Sequence, residues 1–344
     1  HLVSTEDALG NVTTTTYTPP GLVATVTDAL DAVSTFTYDA YGYPETVTTA
    51  TGETVTFDYD IAGRKLWEET PDGERTTYAY DGRDNILTVT DPLGNVTTTV
   101  YDTKGRKVTV EDADGYETTF VYNDAKNALA TTTDALGGVV TYTYNPNNTL
   151  QKVTDALGHT TSFTYDAFGR QASVTDPLNR TTQIVSRADG SALYFIDARG
   201  NRTDYSYNSG GELTTVTYQD DSTVTFLYDG VGNRTRMVDT DGQLDITYDD
   251  LNRPLTRTRT SPAGTETVTY AYDGVGNLET LGYPGGFSVT YAYDDARRVT
   301  TVTDSQNRVT EYDYNTNGRL LTVALPNGTN ATYAYDDAGR ITSV

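Results

Sequence analysis

The sequence predicts an all-β chain of tandem hairpins, and three observations carry that prediction. Tyr-Asp or Tyr-Asn recurs at intervals of 21 residues, with single exceptions of 20, 22 and 24. Glycine, or another residue that tolerates a left-handed backbone, stands four positions after almost every one of those tyrosines. Threonine fills about a fifth of the 344 residues and tyrosine appears 28 times, a composition that fits pleated strands and disfavours helix. A fixed period of this length marks a repeat architecture, in which each unit buries its apolar face against its neighbours.

The tyrosine slot runs through Tyr38, Tyr59, Tyr80, Tyr101, Tyr122, Tyr144 and Tyr165 and on to Tyr335. Tyr17 lies one interval before the series and Ser186 fills one slot, which makes sixteen copies in a single tandem array over residues 1–344. Each unit reads as a turn, a strand, a second turn and a returning strand. In one copy Tyr101–Arg106 is the first turn, Lys107–Glu111 a strand, Asp112–Gly115 the second turn and Tyr116–Tyr122 the return. Gly42, Gly63, Gly105 and Gly169 hold the left-handed slot of the first turn in their copies, and Asp84, Asn148 and Asn252 replace glycine in three others. Lys126 and Arg297 break the pattern, which predicts that those two turns differ in shape. The second turn reads Asp-Pro-Leu-Gly at Asp91–Gly94 and Asp-Ala-Leu-Gly at Asp134–Gly137, so hairpin chemistry stands at both ends of the unit.

Strand faces follow from period two. An aromatic or isoleucine stands two residues before most slots, as at Phe36, Phe57, Tyr78 and Phe163, and shares a face with the slot tyrosine. Valine stands nine residues after many slots, as at Val26, Val47, Val89 and Val174. One face therefore carries rows of rings and branched aliphatics, each cross-strand pair worth roughly 0.2–1 kcal/mol, while the other is largely Thr, Ser and charge. Thirty-odd strands at about 4.8 Å would extend roughly 150 Å if flat. Strand twist has a fixed hand, so the expected form is a coiled strip, a spiral β-solenoid or shell-like wall. Two copies depart from the rule. Ala192–Ile196 is a continuous apolar run, expected to be a strand buried on both faces. The unit after Tyr248 is three residues longer, with Thr260–Thr265 expected as an extended hairpin loop.

The pattern Tyr-Asp-x-x-Gly-Arg, as in Tyr165–Arg170, Tyr101–Arg106 and Tyr335–Arg340, resembles the YD repeat of the Rhs family over essentially the whole chain. That family includes bacterial polymorphic toxins, wall-associated proteins, components of insecticidal toxin complexes and teneurins. The resemblance implies a spiral of hairpins that wraps, in full-length toxins, into a hollow shell around an enclosed protein cargo. The chain starts and stops partway through a unit, at His1 and Val344, as a segment truncated at both ends would.

Composition narrows the functions. With 24 basic and 48 acidic side chains the chain carries a formal charge of −24, which repels nucleic acid and anionic membrane. No apolar run approaches a membrane span, so membrane insertion is not expected. The absence of cysteine removes thiol nucleophiles and Cys-ligated metals, and His1 and His159 offer little from which to assemble a triad or a zinc site. No catalytic residue and no cofactor motif stands out. Calcium is the one metal candidate, at Asp112 with Asp114 and at Asp239 with Asp241, each pair set two residues apart before a glycine. Arg253, Arg257 and Arg259 form a basic cluster able to meet an acidic face, and Trp67 is a candidate for packing between coils or for stacking on a sugar. The reading is a non-catalytic, extracellular or cell-surface scaffold that serves as spacer, fibre or shell wall and self-associates. The alternatives are a wall segment of a toxin-delivery shell and a glycan- or protein-binding module. Asn-x-Thr triplets such as Asn95–Thr97 follow directly from the repeat.

Overall fold

The computed structural model describes residues 2–337 and 339–344; His1 and Ala338, the latter within the last Tyr-Asp motif, lie outside the described residues. Among the described residues 32 strands form one antiparallel sheet, Ala334–Tyr335 pairs with Ile341–Ser343, and the sole helical piece is the 3-10 turn Pro284–Gly286. The fold is the all-β strip of hairpins that the repeat predicts. Its residues gather into two compact units. Unit 1 comprises His1–Val96, Ile246–Thr258 and Thr265–Val344; unit 2 comprises Thr97–Asp245 and Arg259–Gly264.

Register confirms the two faces. Phe36 lies opposite Val47, Tyr78 opposite Val89, Phe163 opposite Val174 and Tyr205 opposite Val216, so the residue two before the slot meets the residue nine after it. Along Val33–Tyr38 exposure alternates strictly, with Ser34, Phe36 and Tyr38 half-buried and the residues between them exposed. The threonine face pairs its own hydroxyls across strands, for example Thr16 with Thr25 at 2.6 Å and Thr37 with Thr46 at 2.7 Å. Coverage of the ring face is thin. Among the described residues only Val216, Ile246 and Thr99 are less than a tenth exposed. The accessible surface of 20,234 Å² compares with about 13,700 Å² from the size scaling of compact monomers. Stability here is summed from repeat-to-repeat contacts instead of from a central core.

Three expectations change. Arg297 adopts the left-handed conformation (φ 63°) and closes the same turn as its neighbours, its amide donating to the Asp294 carbonyl at 2.8 Å. The hairpin's hydrogen bonds thus hold a non-glycine residue in a strained region. Lys126 does sit in a different turn, in which Asn127 takes the positive φ. Residues 260–265 are not an open loop: strands Pro254–Ser261 and Gly264–Tyr272 run on through the insertion to a tight turn. Ladder pairing absorbs the three extra residues more favourably than solvated loop does. Ala192–Ile196 is a strand, but Leu193 is 43% exposed, because the single-layer sheet leaves its second face uncovered.

Candidate functional site: the repeat clamp and the edge seam

Among the described residues, hairpin after hairpin slips register immediately before the slot, as between Thr37 and Tyr38 or Asp313 and Tyr314. This bulge places Tyr59 opposite Lys65, and the hydroxyl of Tyr80, in the following repeat, donates to that Lys65 carbonyl at 2.8 Å. The same bond joins Tyr122 to Lys107, Tyr228 to Leu213 and Tyr314 to Val299. Where the unit is three residues longer, Tyr272 reaches Pro254 instead, at 3.0 Å. In these copies the slot uses the tyrosine hydroxyl as well as the ring.

The aspartate after the tyrosine closes the turn. One oxygen of Asp60 accepts from the amides of Ala62 and Arg64, and the other accepts from Arg64 Nε at 2.7 Å. The Arg64 guanidinium, then the backbone amides, hold the Asp60 carboxyl below the usual aspartate value. Arg64 also donates to the Asp81 carbonyl at 2.9 Å and lies over the Tyr80 ring at 4.9 Å. The arginine of one turn thereby grips the next repeat. Arg106 over Tyr122 and Arg253 over Tyr272 repeat the arrangement.

Within unit 1 the strip meets itself edge to edge. The second turns of the early repeats face the Tyr-Asp turns of the late ones. Arg298 Nη1 lies 2.9 Å from Glu53 Oε1, and 21 residues further along both segments Arg319 makes a bidentate pair with Glu74, both contacts at 2.6 Å. Both pairs span 245 residues. The Thr316 hydroxyl bonds the Asp72 carboxylate, the Asn317 side chain accepts from the Asp72 amide at 3.1 Å, and Arg297 reaches Asp28 at 3.3 Å. A cleft of about 430 Å³ lies at the start of the seam, lined by Asp7, Asn11, Asp28, Leu251, Arg253 and Arg297. The acids arise from a departure in the repeat. Thr-x-x-Gly-Glu at Thr49–Glu53 and Thr70–Glu74 replaces the Asp that caps most of the other second turns, and each threonine hydroxyl accepts the glutamate amide instead. On the opposite edge Asn315 stands where Asp is usual, which leaves the Arg319 fork to Glu74.

Reading the sequence missed this seam, whose signal was the Thr-for-Asp exchange in two consecutive second turns. Of the residues it selected, Tyr38, Tyr59, Tyr80, Tyr101 and Tyr165 all lie at slots, and Gly42, Gly63, Gly105 and Gly169 all have positive φ between 77° and 91°. Arg253 pairs with Asp249 at 2.7 Å and Arg257 lies over the Tyr270 ring at 5.7 Å, both in unit 1. Arg259 holds Asp239 through two bonds of 2.8 and 3.1 Å in unit 2. Asp112 accepts the amides of Asp114 and Tyr116, and Asp239 accepts the amide of Asp241. Among the described residues no three acidic or histidine side chains converge as a metal-binding group. Trp67 is half-buried under the Arg75 guanidinium, 3.8 Å from its ring. His159 lies exposed, 3.0 Å from Asp155.

Comparison with known proteins agrees with this geometry. A crystal structure of TcdB2–TccC3 superposes with a TM-score of 0.59 at 16% identity, covering 96% of this chain and 23% of that one. The Photorhabdus luminescens Tc holotoxin pore with a mutated TccC3 gives a TM-score of 0.58 at 16% identity, with the same coverage. The likeness is one of fold, and this chain spans under a quarter of the length of those it matches. None of the curated proteins compared with the chain matches it. The RHS repeat model matches residues 68–96, and the teneurin YD-shell model matches 104–278 and 233–344, more than two thirds of the sequence. The chain belongs to the YD-shell family of Rhs/YD-repeat proteins.

Proposed function

We propose that the chain is a non-catalytic wall segment of an extracellular or cell-surface YD-repeat shell, and that the enclosed face serves protein cargo. The observation that carries this reading is the seam of unit 1, in which two runs of repeats dock edge to edge with a constant offset of 245 residues. Such docking turns a ribbon into a continuous surface, which is what a wall requires. Carboxylates of the repeat turns serve as caps, as Asp60 and Asp176 do for backbone amides and an arginine, which supports a structural use for them. The fold match to TcdB2–TccC3 supports the delivery-shell form of the reading, where activity resides in a partner domain.

The test uses the absence of native cysteine. Asp72→Cys combined with Thr316→Cys places two thiols where the seam brings their parent side chains into contact. Mild oxidation should cross-link most molecules into a faster-migrating species on non-reducing gels. A chain that folds by circular dichroism yet fails to cross-link has no seam, and the wall reading falls with it.

A further inference from the structure

One arginine of the seam in unit 1 lacks the acceptor that its counterparts have. In the repeat clamp, Nη1 of the turn arginine donates to the next turn, as Arg64 does to the Asp81 carbonyl at 2.9 Å and Arg170 to the Arg187 carbonyl at 2.8 Å. At the seam Arg298 Nη1 also finds the Glu53 carboxylate, at 2.9 Å. Arg253 belongs to the longer unit. Asp249 holds its Nε at 2.7 Å, but its Nη1 is buried and has no hydrogen-bond partner among the described residues. A buried guanidinium nitrogen left this way is costly.

The register accounts for the missing partner. Two repeats before the Arg298–Glu53 pair, the early residue brought towards Arg253 is Asn11 in place of a glutamate. A Cβ on Gly274 would stand 3.0 Å from Asn11 Oδ1, and one on Gly276 would stand 3.5 Å from Arg253 Nη1, so both groups belong to the wall of the 430 Å³ cleft. Asn11 turns its side-chain amide to Asp7, at 2.8 Å. The carboxylates nearby are engaged already. The second oxygen of Asp7 accepts the amides of Leu9 and Asn11, while Asp28 accepts those of Leu30 and Ala32 and lies 3.3 Å from Arg297. Glu6, also in the lining, is exposed, so solvent and salt screen its charge. Ala29, Leu251 and Val275 are half-buried and supply an apolar wall. The volume falls within the range of small-molecule sites.

We infer that this cleft binds a small aliphatic carboxylate, whose oxygens take on Arg253 the place that Glu53 takes on Arg298, with the hydrocarbon part against Leu251 and Val275. The molecule contains its own precedent. Arg298 carries two carboxylates at once, Asp294 at 2.7 Å and Glu53 at 2.9 Å, so Arg253 with Asp249 accepts a second on the same terms. A carboxylate suits the guanidinium better than a neutral oxygen because the bond is charge-assisted. The surrounding acids keep the site weak, with a dissociation constant of about 1 mM for so small a ligand. The inference rests on the seam but goes beyond the wall reading, since a wall needs no ligand.

Saturation-transfer NMR of the full chain with butyrate tests it, with butanamide as the uncharged match. Butyrate should bind at about 1 mM and butanamide at least about tenfold more weakly. Arg253→Gln should abolish butyrate binding, but it also removes the stack on Tyr272. The decisive variant is therefore Asp7→Thr with Asn11→Glu, which writes the Thr-x-x-Gly-Glu turn of Thr49–Glu53 into the first repeat and supplies Arg253 with a carboxylate of its own. It should keep the wild-type circular dichroism spectrum and lose butyrate binding. A wild type that ignores butyrate overturns the inference, as does equal binding of butanamide or binding that survives the double change. The Asp72–Thr316 cross-link, measured on the same protein, reports the wall reading separately: a chain that cross-links without binding butyrate keeps its seam and loses only the ligand site.

Discussion

Unit 1 and unit 2 are built from the same repeat with the same internal clamp, yet their second-turn edges have opposite fates. In unit 1 that edge carries Glu53 and Glu74, each paired with an arginine of a late repeat. In unit 2 it carries Leu136, Leu157 and Leu178, bare to solvent. The clamp within the strip is therefore a property of the repeat, whereas edge docking belongs to particular copies. Substitutions at two turn positions convert a generic edge into an addressed one. A Thr in place of the capping Asp leaves the turn closed through its hydroxyl, and a Glu at the end of the turn becomes available to the opposite edge.

Acid should have the largest effect and should erase the comparison. The turn aspartates of both units, such as Asp60 and Asp176, are held below their ordinary value, each first by its arginine. A depressed folded pKa contributes stability above the unfolded value near 3.9 and loses it as pH falls through the folded pKa. Amide exchange should therefore accelerate in both units together below about pH 4. Protection lost in one unit alone would show that the turns of the other do not depend on their carboxylates.

Reversing the seam comes next and should separate the units. Arg298→Glu with Arg319→Glu sets like charges against Glu53 and Glu74, pairs whose side chains are at most a quarter exposed. We expect a loss of roughly 3–5 kcal/mol confined to unit 1, read as its denaturation midpoint and as loss of the Asp72–Thr316 cross-link. Adding Glu53→Arg and Glu74→Arg should restore both. Arg106→Glu, in unit 2, should leave the cross-link unaffected.

A smaller effect tests the shared clamp. Tyr80→Phe in unit 1 and Tyr122→Phe in unit 2 each remove a hydroxyl from a neighbouring carbonyl. Each should cost about 1 kcal/mol, the same in both units within error. A clearly larger cost in unit 1 would mean that the clamp and the seam are coupled. The smallest effect concerns calcium. Arg259 engages both oxygens of Asp239, so Asp112 with Asp114 is the pair that keeps both of its members away from an arginine. Millimolar calcium should shift stability by under about 0.5 kcal/mol, and Asp114→Asn should abolish whatever shift appears.

The repeat, its two turns, the left-handed slot and the ring face were all legible in the sequence, because each is decided within about 21 residues by local backbone sterics and period-two alternation. Arg297 escaped that reading: hydrogen bonds at both ends of its hairpin impose a conformation its side chain disfavours. The three extra residues after Tyr248 escaped it too, since composition alone does not distinguish a loop from two lengthened strands. The tyrosine hydroxyl bonds needed the bulge, a one-residue slip that leaves no separate mark in the pattern. What the sequence determined alone is the module and its tandem order. What only the tertiary structure decided is which edges meet. Glu74 and Arg319 lie 245 residues apart, and their encounter depends on small twists summed over many intervening repeats, a quantity that no single repeat encodes.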